Sequence, residues 1–414
     1  MNRIVCLCCL IVSVIPAIGS AQSPLASAVQ SIVDQRIAPG IVVLVADKDG
    51  TLATVTAGFA SLAEKTPMRP DAVFWIASMS KSLTGTALMM LVDERRVSLD
   101  DPVEKYLPEF HGQLVEQADQ SPHPPRHPIT VREVMNHTSG MVLANDKSLT
   151  RMHSLKDDVA QAAARPLRQE PGTKYEYNNC GINTGGRIIE VVSGMPYAEF
   201  MQQRLFDPLG MHDTTCWPNE EQASRLAHTA RSTEDKRDLV EIKQDKDVSP
   251  EVIAKWSEGV PVPAAVTAEM GAGIAMDYAH RYAMPAGGYF SAAHDIGRFC
   301  RMVLRGGELD GRRYLSKQAV RTMSAVQTGD VKVAPDAAYG VGWLVKLNDE
   351  EGPAPSSFGH RGARRTAMWI DPRHELAMVI LVERFDMPGD QQKVMYGDVM
   401  RAAIEQYGAS ASTQ

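Results

Sequence analysis

Apolar residues recur at spacings of three, four and seven along residues 78–96: Leu83, Ala87, Leu88, Leu91 and Val92. That period predicts a helix with one buried face. Ahead of it the chain alternates between short apolar runs and turn signals. Residues 24–36 read as an amphipathic helix, Ile41–Ala46 as a strand, Asp49-Gly50 as a hairpin turn, and Thr51–Phe59 as a returning strand. Beyond residue 128 the helical period dominates, over 129–135, 155–164, 181–193, 198–205 and 293–305. Strand patterns return at 339–347, 366–370 and 376–382, with a turn at Asp371-Pro372-Arg373-His374, and 391–407 closes as a helix. Strands at both ends and helices between predict an α+β fold. An antiparallel sheet built from the N- and C-terminal segments is flanked by helices, with a mainly helical lobe inserted.

This pattern sets the expected organisation. The sheet lobe takes 24–77 and about 330–408. The helical lobe takes about 78–329, with an insertion at 218–265, where acids and bases interleave and a Val-Pro-Val-Pro run follows at 260–263. Together they form one domain over 22–408, followed by a disordered Ser/Ala tail at 409–414. Residues 1–21 read as a secretory signal peptide: Met1-Asn2-Arg3, an apolar run from Ile4 to Ile15, then small residues at Gly19-Ser20-Ala21. A periplasmic or extracellular protein is expected, with no stable membrane span after cleavage.

Composition narrows the function. The 414 residues are 44% hydrophobic and 22% charged with a net charge of −7, and no basic patch suggests a nucleic-acid partner. Cys6, Cys8 and Cys9 leave with the signal segment. Cys180, Cys216 and Cys300 remain and are expected to be buried thiols. His123 and His127 are four apart, but the prolines around them exclude a helix, so no metal site is read there.

Ser78 and Lys81 stand at the start of the 78–96 helix, one turn apart. A lysine there eases removal of a serine proton, which is what an activated nucleophile needs. Two further stretches carry chemistry: Tyr177-Asn178-Asn179 and His360-Arg361-Gly362. In order and spacing the three resemble the S-x-x-K, Y-x-N and K/H-T/S-G motifs of the serine β-lactamase and penicillin-binding-protein superfamily. The nearest branch holds class C β-lactamases, DD-carboxypeptidases and family VIII carboxylesterases. Asn136-His137-Thr138-Ser139-Gly140, Gly287-Gly288-Tyr289-Phe290-Ser291 and Tyr339-Gly340-Val341-Gly342-Trp343 agree with that resemblance.

The resemblance implies roles. Ser78 is the acylated nucleophile, Lys81 holds the site positive and helps take the serine proton, and Tyr177 is the base. Asn179 binds substrate and lysine, and His360 supplies a donor. Gly362 lets backbone approach substrate, and the N–H groups of Ser78 and Ala363 form the oxyanion hole. A phenol needs cationic neighbours to act as a base, and Lys81 supplies one. Two positions depart from the family pattern: His360 stands for lysine, and Arg361 for the hydroxyl residue that helps hold a substrate carboxylate. Arg361, Arg364 and Arg365 either offer a guanidinium instead or stand as solvated strand residues. Side-chain alternation turns Arg361 away from the site if His360 faces it.

The expected function is an exported serine hydrolase cleaving an ester or amide of a small, including peptidoglycan-like, substrate through an acyl-serine, with no metal or cofactor. Esterase or D-alanyl carboxypeptidase activity is preferred. The alternatives are a true β-lactamase or a catalytically degraded penicillin-binding-like protein. A lipase-type α/β-hydrolase is excluded because no G-x-S-x-G occurs.

Overall fold

The structure, a computed structural model, describes residues 23–116, 121–142, 154–242, 282–348 and 352–408. The expected signal peptide, the tail at 409–414 and residues 243–265 of the expected insertion lie outside the described residues.

The central element is an eight-stranded antiparallel sheet. Its strands are β1 (Gly40–Ala46), β2 (Thr51–Ser61), β3 (Thr66–Pro67), and, from the far end of the chain, β6 (Ala337–Tyr339), β7 (Leu344–Lys346), β8 (Phe358–Arg361), β9 (Ala367–Asp371) and β10 (Leu376–Leu381). Their order is β6-β7-β8-β9-β10-β1-β2-β3, so the two chain ends meet where β1 pairs with β10, Val42 opposite Leu381. Two further strands, β4 (Val73–Trp75) and β5 (Phe290–Ala292), form a separate pair that the apolar pattern does not reveal.

Every residue of β1 is buried, which explains its unbroken apolar run: the strand is covered on both faces. Val42, Leu44 and Ala46 point into the core under the helical region, whereas Ile41, Val43 and Val45 point into a second core. That second core is closed by α1 (Pro24–Asp34) and the C-terminal α7 (Gly389–Tyr407), through Leu25, Val29, Ile32, Met395, Val399 and Met400. Ser23 caps α1, its hydroxyl accepting from the Ala26 N–H, and Pro24 needs no partner there.

On the first face lie α2 (Ser80–Asp93), α3 (Val131–Met135), α4 (Leu155–Ala163), α5 (Asn179–Ser193) and α6 (Ala293–Leu304). α6 lies within the stretch assigned to the helical lobe, yet it packs on β1, β9 and β10. α2 differs from the one-faced helix its period predicts: Ser80 to Leu91 are all buried. Its polar side chains are satisfied inside, with Ser82 donating to the Gly342 carbonyl at 2.8 Å and Thr84 Oγ1 lying 2.8 Å from the Pro285 carbonyl.

The stretch 339–347 is not one strand. It breaks into β6 and β7 because Gly342 turns at φ +75° and lies against α2, where a Cβ would meet the Lys81 carbonyl at 2.5 Å. Residues 218–242 are stitched to the sheet's surroundings. His228 N–H donates to the Ala60 carbonyl, and Ala230 N–H to that of Glu383. A short hairpin, Ala230–Ser232 with Leu239–Glu241, follows.

Candidate active site

The site forms where α2, α5, β8 and the chain before β5 converge. A short 3-10 turn, Ala77–Met79, leads into α2, so Ser78 lies just ahead of the helix rather than in its first turn. Ala77 sits at φ +46°, a left-handed conformation costly for alanine. The strain is held by Ser80, whose hydroxyl donates to the Ala77 carbonyl at 2.6 Å. It lifts the Ser78 side chain out of the helix, and no hydropathy signal announces it.

Lys81 is fully buried. Its Nζ lies 3.0 Å from Ser78 Oγ, 2.9 Å from Asn179 Oδ1 and 2.7 Å from the Ala286 carbonyl. Burial pulls its pKa down to about 7. Asn179 is positioned by Asn178, which caps α5 by accepting from the Gly181 N–H at 2.8 Å. Tyr177 stands before that cap. Tyr177 is 38% exposed, Ser78 acts on its hydroxyl, and Lys81 Nζ sits 4.8 Å from the ring centroid. Burial pushes the phenol up to about 12, against the Ser78 bond, which lowers it.

A wall of rings backs Tyr177. His137 packs 4.5 Å from it and 4.6 Å from Tyr339, centroid to centroid, and Tyr175 closes the edge at 5.7 Å from His137. His137 Nδ1 accepts from the Asn178 N–H at 3.3 Å, and burial holds it well below the usual histidine range.

On the opposite side β8 brings His360 to the cleft, its ring 6.4 Å from that of Tyr177. Both its nitrogens are occupied: Nε2 lies 2.8 Å from Tyr339 Oη and Nδ1 2.8 Å from the Arg361 carbonyl. Each ring nitrogen of His360 thus has a contact within the protein. Burial holds its pKa down at about 3. At Gly362 a Cβ would meet the Thr366 side-chain Oγ1 at 2.1 Å and the Ile76 carbonyl at 2.5 Å. Glycine thus lets the strand end come against the nucleophile turn.

The arginines divide. Arg361 turns to the other sheet face, its guanidinium 4.5 Å from the Tyr396 ring centroid and 5.8 Å from that of Trp369. Arg364, expected to be either substrate-facing or solvated, is buried between Trp75 and Phe385, with Glu383 nearby. Arg365 donates to the Phe385 carbonyl at 3.2 Å. Away from the site, His123 faces Glu170 and His127 faces Glu133, each on its own acid. Cys180, Cys216 and Cys300 are buried thiols, not bridged to one another. Among the described residues no helix is long and apolar enough to cross a membrane.

A family model for beta-lactamase matches residues 25–397. The chain belongs to the beta-lactamase family. It is a serine hydrolase of that family. Over 325 residues it is 29% identical to penicillin-binding protein 4 of Amycolatopsis lactamdurans, spanning 76% of this chain and 72% of that protein. Its fold is similar to that of EstCE1, described as a hydrolase with promiscuous acyltransferase activity. There the TM-score is 0.71 at 20% identity, over 91% of this chain and 97% of the other. It is also similar to a family VIII carboxylesterase, with a TM-score of 0.70 at 18% identity over 92% and 96%.

Proposed function

We propose that this beta-lactamase-family protein is an exported esterase that cleaves small neutral esters through an acyl-Ser78 intermediate. One observation carries the reading. Lys81, drawn down to about 7, sits 3.0 Å from Ser78 Oγ with its other contacts fixed. A neutral amine at that distance is a general base near physiological pH. Tyr177, pushed up to about 12, stays protonated there. The base role therefore moves from Tyr177 to Lys81.

In the first step Lys81 Nζ takes the Ser78 proton while Oγ bonds to the substrate carbonyl carbon. The carbonyl oxygen takes the negative charge and is met by the N–H groups of Ser78 and Ala363. As the bond to the leaving oxygen breaks, Tyr177 Oη gives that oxygen its proton, and the phenol regains one from Lys81. Water then attacks the acyl carbon, losing its proton to Lys81, and as the bond to Ser78 Oγ breaks Lys81 returns that proton to the serine and the acid leaves. Asn179 holds Lys81 and borders the acyl group.

The preference for neutral esters rests on the missing carboxylate anchor. His360 has both nitrogens engaged, and Arg361, Arg364 and Arg365 are each held elsewhere. A carboxypeptidase or β-lactamase reading needs such an anchor for its anionic substrates. Export is part of the proposal and rests on the pattern of residues 1–21; protein recovered from the periplasm or medium should begin near Gln22.

Intact-mass spectrometry after exposure to a fluorophosphonate, a p-nitrophenyl ester and benzylpenicillin tests the reading. The fluorophosphonate adduct should map to Ser78 and vanish in Ser78→Ala. The ester should turn over, and the penicillin should acylate slowly. Near wild-type ester turnover by Ser78→Ala, with the fold intact, would remove the assignment.

A further inference from the structure

The Ala286 carbonyl that meets Lys81 at 2.7 Å is main chain, so its place depends on what grips residues 282–286. The Ala286 N–H donates to Asn183 Oδ1 at 3.0 Å. Asn183 Nδ2 donates in turn to Asp158 Oδ2 at 2.6 Å, and Tyr282 Oη donates to that same oxygen at 2.9 Å. Asn183 is on α5, one turn beyond Asn179, so a single helix reaches Lys81 twice. One path is direct, through Asn179, and the other runs through the Ala286 peptide. Asp158 and Asn183 are 3% and 2% exposed. A carboxyl group is costly at such depth, and among its hydrogen-bond partners here both are neutral. The cation that faces it, Arg165, acts on it only at longer range.

The chemistry of an amine gives this arrangement a purpose. An ammonium has three N–H donors, and Lys81 has three acceptors: Ser78 Oγ, Asn179 Oδ1 and the Ala286 carbonyl. A neutral amine has two N–H donors and one lone pair. If Asn179 and Ala286 hold the two N–H bonds, the lone pair is aimed at the Ser78 hydroxyl.

We propose that Asp158 and Asn183 are positioning residues for Lys81, holding the Ala286 carbonyl against its amine so that the lone pair points at Ser78. This rests on Lys81 being the base of the proposed hydrolysis. The other groups facing Lys81 are the Tyr177 ring and the imidazoles of His137 and His360, both held neutral by burial. No carboxylate among the described residues touches the amine, so its backbone acceptor is a main support of its charged form.

The test follows Lys81 directly, by NMR of the enzyme carrying 13C at lysine Cε, with the Lys81 signal assigned from Lys81→Met. In Asn183→Leu and Asp158→Leu the Lys81 midpoint should fall by about one unit, the scale of one hydrogen bond to a charged group. The acid limb of kcat/KM should move with it, and the plateau should drop roughly tenfold because the amine is free to rotate. Asp158→Asn should keep the midpoint within about 0.3 unit, since its amide oxygen still accepts from Asn183. An unchanged Lys81 midpoint in both leucine variants overturns the proposal, whatever activity does. So does a shift in Asp158→Asn as large as in Asp158→Leu, which would make charge, not placement, the cause. A midpoint that moves while the acid limb stays would keep the positioning role and remove Lys81 as the base. Should Asn183→Leu not fold, Asn183→Ala with Asp158→Asn gives the same comparison.

Discussion

Tyr339 Oη and His360 Nε2 lie 2.8 Å apart, and this contact decides what the histidine is able to do. Its other nitrogen, Nδ1, faces the Arg361 carbonyl at 2.8 Å. A carbonyl only accepts, so Nδ1 carries the hydrogen and Nε2 accepts from the tyrosine O–H. The ring is fixed in one neutral tautomer, with no N–H left for a substrate. Burial, helped by the nearby Lys81 charge, keeps it neutral.

Tyr339→Phe should therefore cost less than about tenfold in kcat/KM for a neutral ester, and add no new limb to the pH profile between 5 and 9. The ring loses a donor but stays buried and uncharged. A new ionisation near pH 6 to 7 in the variant would show that the tyrosine, rather than burial, keeps the imidazole neutral.

The pH profile of the wild-type protein bears on the base. The neutral amine is the active form, so kcat/KM should fall as pH drops through the Lys81 value of about 7 and level off above it. Tyr177→Phe should leave that limb in place and lower the plateau. The loss should reach about 10²–10⁴-fold for alkyl esters, whose leaving oxygen needs a proton, and be much smaller for p-nitrophenyl esters. Equal losses on both substrates would return the base role to Tyr177.

Why the sequence revealed some of this and not the rest is a matter of what hydropathy reports. The unbroken apolar run 41–46 records burial on both faces, and β1 sits mid-sheet with a core on each side. The 181–193 helix follows from its apolar period, and the Asn179 contact is what the resemblance of Tyr177-Asn178-Asn179 to the family motif implies. Yet the same apolarity at 339–347 hides a break, because Gly342 turns there to meet α2. Ala77 looks like any alanine, though its backbone is left-handed. Arg364 reads as a substrate-facing or solvated charge but is buried between two rings. Asp158 and Asn183 are ordinary helical polar residues until α4 and α5 are placed side by side. Patterns tell which face is buried; they do not tell which partner a buried polar group finds.

Arg361 stands where its relatives' pattern suggests a substrate contact, but its guanidinium lies on the rings of Tyr396 and Trp369, on the face away from Ser78. Arg361→Ala should change ester turnover less than about threefold while lowering stability by roughly 1–2 kcal/mol, from two cation–π contacts and lost stem packing. Thermal melts and kinetics on the same preparation separate the two effects. A large loss confined to anionic substrates would place the arginine in the cleft.

Glu383 offers a stability test with an unusual sign. It is 2% exposed, and its carboxyl accepts from the Trp75 N–H at 3.2 Å and from Thr229 Oγ1 at 3.1 Å. It thereby ties residue 229 to the strand that leads into the nucleophile turn. Burial pushes its pKa up to about 8, although the Arg364 charge pulls the other way. An unfolded glutamate titrates near 4.5. Between those two values the folded chain binds a proton that the unfolded chain has lost, so stability falls as pH rises through that window, by a total on the order of a few kcal/mol. Glu383→Gln mimics the protonated side chain and keeps an acceptor oxygen. Its melting temperature should match the wild type near pH 5 and exceed it near pH 9, as measured by calorimetry across that range. If the variant instead melts lower at pH 5 and the two curves run parallel to pH 9, Glu383 is ionised throughout and paired with Arg364. Its place beside the nucleophile strand would then rest on that ion pair.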